Sequence, residues 1–457
     1  MLRHLAARDP ARYPLLLDSA AAGPLGRSSV LLAEPRAALW LSADGRLGAE
    51  GFTPRGARFL EALENWWLDE ATPAAERTDS APQGAPGHLA HFAGGWGLFL
   101  GYELAQETEP TLRLPPTPLP WQAFALRTRA ALVHELSRGR IYVAAEDGAQ
   151  EVLAQVAADA MAASDEAMAS PGSLEIAAVH EEPPEAYLAR VRRAKEYVAA
   201  GDIYQANLSR PWEVELSAGR GMTVTSPVAA LYQRLCAANP APFAALAQWR
   251  GVAILSSSPE RLLRISGRRV DTRPIAGTRP RSRRPAEELR EMSELAAHPK
   301  ERAEHIMLID LERNDLGRVC EAGSVRVDEL MTIESYQHVH HIVSNVTGAL
   351  RSEVTPLGAL RAVFPGGTIT GCPKFRCMQI IAELEGAGRG AYTGSLGYLM
   401  PDGRLDLNIL IRTMTIQGRQ LSFRAGAGIV ADSDPERELE ETRAKARGLL
   451  AALGGTP

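Results

Sequence analysis

Beyond about residue 185 the chain mixes irregular strand-like runs with long amphipathic helices, and it never settles into a regular strand–helix–strand alternation. That arrangement argues against a doubly wound parallel sheet and predicts an α+β fold built on a largely antiparallel one. Glu185 to Ala200 carries Tyr187, Val191, Ala194 and Val198 on one stripe, the spacing of a helix with a single buried face. Val252 to Ser256 and Val270 to Thr272 are strand-like. The first third supplies further strand pieces at Ser29 to Leu32, Phe124 to Glu135 and Ile141 to Ala145, separated by Pro-rich connectors. Between about Met161 and Pro184 periodicity fades while Pro, Ser and acidic residues accumulate, as in a surface connection. The expected division is an amino-terminal lobe over 1–165 and a second region over 185–457, with no repeat of solenoid or propeller period.

Several classes of function are disfavoured by composition. A net charge of -5 without long single-sign blocks gives no footprint for nucleic acid or an anionic membrane surface, so a small-molecule partner is expected. No run reaches the eighteen or so apolar residues of a membrane span, and Cys236, Cys320, Cys372 and Cys377 form neither a disulfide framework nor a metal knuckle. A cytoplasmic location with reduced thiols is the expectation.

Two segments bring carboxylates together at helical spacing. The run at 298–319 reads as a helix in which Glu301 and Glu304, three apart, share a face. Near the carboxyl end Asp434 can cap a helix beginning at Pro435, with Glu438 and Glu441 again three apart. If the helices converge, four carboxylates would repel, and a hard, oxygen-preferring cation such as Mg2+ would relieve the repulsion. On spacing alone, solvated helix faces with pairs such as Glu441 and Lys445 carry more weight.

Gly-rich segments offer places for an anion. FPGGTITGCPK, containing Thr368, runs into a helix at Pro373 but fails the nucleotide P-loop template. RAGAGIVADSDPE leads from a strand into the second glutamate helix, and Gly426 and Gly428 permit close ligand approach. Upstream, Tyr398 and Arg412 sit on strand-like segments, and an Arg fork suits a carboxylate; a core Tyr and a surface Arg are equally compatible. In YQHVHHIVS, His338 and His340 face opposite to His341 on a strand, which speaks against a shared zinc. His341 fits a core position or an orienter of a ring hydroxyl equally well.

Taken together, SSSPERLLR, RPIAGTRPR, KERAEHIMLIDLERNDLGRV, GGTITGCPK and GAGIVADSDPERELEET closely resemble the chorismate-utilising enzymes, in family order across roughly 185–450, and GGWGLFLGYEL at 94–104 resembles their amino-terminal lobe. The resemblance implies a two-lobed sandwich of antiparallel sheets with helices outside. It implies that Glu301, Glu304, Glu438 and Glu441 gather at Mg2+ bound to the ring carboxylate of chorismate. It also implies that Tyr398, Arg412 and Gly428 hold the enolpyruvyl carboxylate, that Thr278 and His341 line the ring site, and that Glu260 is the general acid for the 4-hydroxyl.

Gln205 stands where the water-adding members carry a lysine base, and an amide cannot act as that base. The amine-adding branches remain. YQANLSR, NPAPFAAL and GAYTGSLGYLMPDGRLDLNILIRT look more like aminodeoxychorismate synthase component I than anthranilate synthase, and amination at C4 is the expectation. Ala276 departs from the first branch, some of whose members carry a nucleophilic lysine there; Lys374 is a candidate substitute. Anthranilate synthase is the alternative, and a non-catalytic scaffold for a glutaminase a third reading. No cysteine sits in a glutaminase nucleophile elbow, so ammonia is expected from a separate glutamine amidotransferase subunit. LLLDSAA with Ser19, together with Pro242 and Phe243, resembles the family's tryptophan-binding segment.

Overall fold

The computed structural model describes residues 1–21, 25, 27–71, 92, 94–165, 175–217, 225–281, 284–336 and 339–454. All of its strand pairings are antiparallel, and one unbroken series links both halves of the chain. Starting at an edge, Ile176–Glu181 pairs with Gln205–Leu216, which pairs with Gln420–Ile429, then Thr413–Gln417, Val252–Ser258 and Phe243–Trp249. Leu15–Asp18 carries the series into Ser28–Ser42, Trp121–Glu135 and Gly95–Leu100. It continues through Ser395–Leu399, Leu405–Asn408, Arg261–Ser266 and Arg269–Arg273 to Val339–Ala349. The expected antiparallel α+β fold is what the structure shows.

Side-chain alternation explains the layering. Along the central strands Leu15, Val30, Leu32, Phe99, Phe124, Leu126, Ala245, Ala247 and Ile254 share one apolar cluster. Their neighbours in sequence point the other way: Leu16, Leu31, Leu132, Leu246, Ala253 and Leu255 pack with residues of the helices Leu2–Arg8, Thr225–Ala238 and Pro435–Ala452. Leu39, Leu41, Leu98, Leu100, Leu262 and Leu405 pack with the helices Phe59–Glu70 and Pro356–Val363. A period of two thus yields one inner core and two helix-covered outer faces. The 15-residue strand Ser28–Ser42 serves both outer faces. It turns between them at Glu34, whose φ is 54°, and at the register shift between Pro35 and Ala37.

The stretch read as a surface connection holds the strand Ile176–Glu181, whose exposed edge position explains its weak apolar pattern. The two segments expected as lobes share the sheet where Leu15–Asp18 meets Phe243–Trp249 and where Gly95–Leu100 meets Ser395–Leu399. Among the described residues no helix is long and apolar enough to cross a membrane.

Candidate active site

The helix Pro435–Ala452 starts as the sequence predicts, with the Asp434 side chain accepting from Arg437 N at 2.9 Å and Pro435 in the first turn. Directly before it, the strand Gln420–Ile429 presents Gly426 opposite Ser209 and Gly428 opposite Asn207. A Cβ at Gly426 would lie 2.7 Å from Leu208 O, 2.7 Å from the Tyr392 hydroxyl and 2.8 Å from Asn207 Oδ1. At Gly428 it would lie 2.3 Å from Gln205 Nε2, with Glu304 Oε1 3.6 Å away. The two glycines therefore line a cradle with Gln205, Asn207 and Tyr392 in which no side chain fits without displacing those groups. Gln205 is buried, and its Oε1 has no protein hydrogen-bond partner.

Lys445 joins the cradle to the glutamates. Its Nζ is 2.8 Å from Glu441 Oε1 and donates to Gly426 O at 2.9 Å. Lys445 is half-exposed, and Glu441 and then Glu304 raise its pKa. Glu441 is half-exposed, whereas Glu438 is buried, and both carboxylates act electrostatically on the buried Tyr187. Glu301 is drawn elsewhere: its Oε1 pairs with Arg279 at 2.7 Å, while its buried Oε2 lies against Gly277 without a protein hydrogen-bond partner. Among the described residues no three His, Cys, Asp or Glu side chains form a group able to hold a metal ion. Glu304 and Glu441 do share Lys445 as a neighbour.

Glu260 sits in the turn between Val252–Ser258 and Arg261–Ser266, 4% exposed, with Oε1 lacking a protein hydrogen-bond partner. Burial pushes its carboxyl up to about 7, with Thr368, Ile275 N–H, Lys445 and Arg412 pulling the other way. A carboxylic acid still protonated near neutrality is equipped to donate a proton. Arg412 is not on a strand. It occupies a left-handed backbone conformation with φ 51°, just before Thr413–Gln417. Its half-buried guanidinium lies within electrostatic reach of Glu260 and donates to Asn239 Oδ1 at 3.3 Å. Such a backbone costs on the order of 1–3 kcal/mol and persists where the surroundings impose it.

Thr278 pairs with His341 across the strands Ile275–Pro280 and Val339–Ala349. The His341 ring is buried, and burial together with Arg412 drives its pKa down to about 3, so it is neutral. Its Nδ1 meets Gly277 O at 3.4 Å, and since a carbonyl only accepts, Nδ1 carries the hydrogen. His338 lies outside the described residues, while His340 pairs with Glu288 at 3.2 Å.

Two expected positions require correction. Lys374 is tied up, with its Nζ 2.5 Å from Asp315 Oδ2 and 3.1 Å from Val363 O, so it is no available nucleophile. Tyr398 lies in a different cavity of about 70 Å3 together with Ser19, Pro242, Phe243, Asp406 and Asn408. Its ring meets Phe92 edge-on at 5.1 Å. Tyr392, six residues earlier in the same motif, lies beside the glycine cradle. The sequence reading did not assign Tyr392 or Asn207 to the site, and it knew Lys445 only as a helix-surface partner of Glu441.

Tyr392 is braced from behind. Glu385, fully buried, accepts from Arg389 Nη2 at 2.6 Å, Arg424 Nη2 at 2.8 Å and Ser209 N at 2.8 Å. The two guanidiniums hold its carboxyl down to about 2 against the opposing desolvation. Arg389 lies 4.9 Å from the Tyr102 ring and 5.6 Å from that of Tyr392.

Comparison with known proteins gives a consistent outcome. A family model described as chorismate binding enzyme matches residues 35–451. An anthranilate synthase component I-like protein of Synechocystis sp. is 39% identical over 439 residues, covering 94% of this chain and 84% of the relative. Anthranilate synthase component 1 of Thermus thermophilus is 49% identical over 273 residues, 59% of this chain and 56% of that protein. The solved structure of anthranilate synthase component I from Streptococcus pneumoniae superposes with a TM-score of 0.78 at 27% identity, covering 94% of this chain and 93% of that one.

Proposed function

Since this chain belongs to the chorismate-binding enzyme family, we propose that it aminates chorismate at C2 and releases anthranilate and pyruvate, using ammonia from a separate glutamine amidotransferase subunit. This choice revises the C4 expectation drawn from the motifs. The observation that carries it is Ala276, which is buried against Leu308 and Leu311 where a C4-aminating member can present a lysine. With Lys374 held by Asp315, no lysine is left to attack the ring from either position, which favours direct addition of ammonia. The relatives named anthranilate synthase support the same choice.

In this reading the substrate is held at both ends. Arg412, Tyr392 and the backbone at Gly426 and Gly428 receive the enolpyruvyl carboxylate. Glu304 and Glu441, which share Lys445 as a neighbour, with Glu301 and Glu438 on the same two helices, are the oxygen donors that would hold Mg2+. As they stand they are not gathered into a metal-binding group, so a bound ion would have to draw them together. The buried, unpartnered Glu301 Oε2 and the oxygen-only donor set suit a hard cation that keeps much of its shell for water and substrate. When bound, Mg2+ would withdraw electron density from the conjugated ring. Ammonia forms a bond to C2 and sheds a proton, the ring double bonds shift, and the C4–O bond breaks as Glu260 gives its proton to the departing oxygen, producing water. The remaining C2 hydrogen is then lost as a proton while the C3–O bond breaks, making the ring aromatic, and the released enolpyruvate takes up a proton at its methylene carbon to become pyruvate. Neutral His341, beside Thr278, orients the hydroxyl. Ser19, Pro242 and Phe243, the segment whose resemblance points to tryptophan binding, line a separate cavity with Tyr398.

Mass spectrometry of products formed from chorismate, ammonium and Mg2+ tests the proposal. Anthranilate and pyruvate are expected; an aminated chorismate that becomes aromatic only with an added lyase would restore the C4 reading, and unconsumed chorismate would reject both.

A further inference from the structure

The motif GGWGLFLGYEL carries near its end a carboxyl that the chemistry above leaves unused. Glu103 is 1% exposed and sits in the tight turn Tyr102–Leu104, which follows the strand Gly95–Leu100. Its Oε1 accepts from Arg389 N at 2.6 Å and from Gly390 N at 3.1 Å, and its Oε2 lies 3.2 Å from Gly390 N. The neighbouring Tyr102 N donates to Gly390 O at 2.9 Å. Two residues of the amino-terminal segment thus grip Arg389 and Gly390 through their donors and an acceptor alike. The segments approach so closely that a Cβ on Gly388 would lie 2.1 Å from Pro116 O and 3.1 Å from Glu103 Oε1. Without the carboxylate, two backbone N–H groups lose the acceptor they have.

What is gripped is the start of the turn that carries Tyr392. Tyr392 N donates to Arg389 O at 3.1 Å, and Gly394 N to Ala391 O at 3.0 Å. The Arg389 side chain donates to Asn207 O at 2.6 Å and to Ile369 O at 3.2 Å, which fastens the same turn to the strand Gln205–Leu216 beside the cradle. At the other end of the turn the Tyr392 hydroxyl stands 2.7 Å from where a Cβ on Gly426 would be. A displacement of about 1 Å at Arg389 and Gly390 would carry the hydroxyl with it, and misplacements of that size cost an enzyme up to about a hundredfold. We propose that Glu103 is a positioning residue for substrate binding: through Arg389 and Gly390 it holds the Tyr392 hydroxyl at the glycine cradle. The amino-terminal half of the chain thereby completes a site whose substrate-facing groups all lie beyond residue 200. The kinetic consequence rests on the chorismate reading.

Glu107 supplies the control, because it does the same work away from the site: its two oxygens accept from Phe59 N at 2.7 Å and Leu60 N at 2.8 Å at the start of the helix Phe59–Glu70. In the full chain Glu103→Met should raise KM for chorismate about tenfold with kcat within about threefold of wild type. Glu107→Met should lower stability yet leave both constants within about twofold. Glu103→Gln, which keeps an acceptor oxygen, should return KM to within about twofold of wild type. Because the effect runs through Tyr392, the tenfold factor should shrink to about twofold or less when Glu103→Met is made in Tyr392→Phe. Should Glu103→Met fail to fold, Glu103→Asp, whose shorter side chain cannot reach both N–H groups, gives the same comparison. Without substrate, 3-fluorotyrosine placed at 392 should show one sharp fluorine NMR line in the parent chain and in Glu107→Met, and a displaced or split line in Glu103→Met. Equal effects of Glu103→Met and Glu107→Met on KM, an undiminished factor in Tyr392→Phe, or an unmoved fluorine line would overturn the proposal. A wild-type chain that neither binds nor consumes chorismate would instead reject the functional reading, and the fluorine line would still decide whether Glu103 sets Tyr392.

Discussion

The Lys445 ammonium lies 2.8 Å from Glu441 and donates to the Gly426 carbonyl at 2.9 Å, so a single side chain ties the second glutamate helix to the glycine cradle. Glu304, from a helix far earlier in the chain, acts on the same ammonium, so the two glutamate helices meet at Lys445.

Tyr392 and Tyr398 give opposite expectations. Tyr392→Phe removes the hydroxyl beside Gly426 and should raise KM for chorismate about tenfold, the worth of one charge-assisted hydrogen bond. Tyr398→Phe alters only the other cavity and should leave kcat/KM within about twofold. Steady-state kinetics on the pair checks the assignment.

Gly428→Ala should fold normally, because the crowded atom is the flexible Gln205 amide, 2.3 Å from the new Cβ, and Gly428 has no positive φ. Displacing that amide into the cradle should raise KM tenfold or more. Circular dichroism beside chorismate calorimetry separates a binding loss from a folding loss.

These two predictions mark the boundary of what the sequence can disclose. The Asp434 cap, Pro435 and the stripe of Tyr187, Val191 and Ala194 were legible because each is written within a few neighbouring residues. Tyr392 and Tyr398 share one motif, and only the turn at Arg389 and the strand pairing of Ser395–Leu399 send them to different cavities. The spacing of Glu441 and Lys445 revealed their pair but not the Gly426 carbonyl, a contact made through tertiary packing. Arg412 read as a strand residue because a left-handed backbone at a non-glycine position leaves no local signal.

Glu385 should govern acid stability. Its folded pKa of about 2 lies below its unfolded value, so its contribution is fully present above pH of about 4.5 and is lost as pH falls toward 2. Glu385→Gln leaves Arg389 and Arg424 buried without their counter-charge and should cost about 3–5 kcal/mol. Denaturant unfolding near neutral pH and again near pH 4 should show the gap between variant and wild type narrowing as the acid range is entered.

Turnover should fall as pH rises through about 7, where the Glu260 carboxyl loses the proton it must donate. His341, neutral down to about pH 3, should add no limb near pH 6. The pH dependence of kcat checks both statements.

The most direct measurement is Glu260→Gln assayed for turnover and, by calorimetry with Mg2+ present, for chorismate binding. Loss of at least a hundredfold in kcat with Kd within a few-fold of wild type is the predicted result. Near-normal turnover in the variant would contradict it, because the buried acid at the centre of the site would then have no part in breaking the C4–O bond.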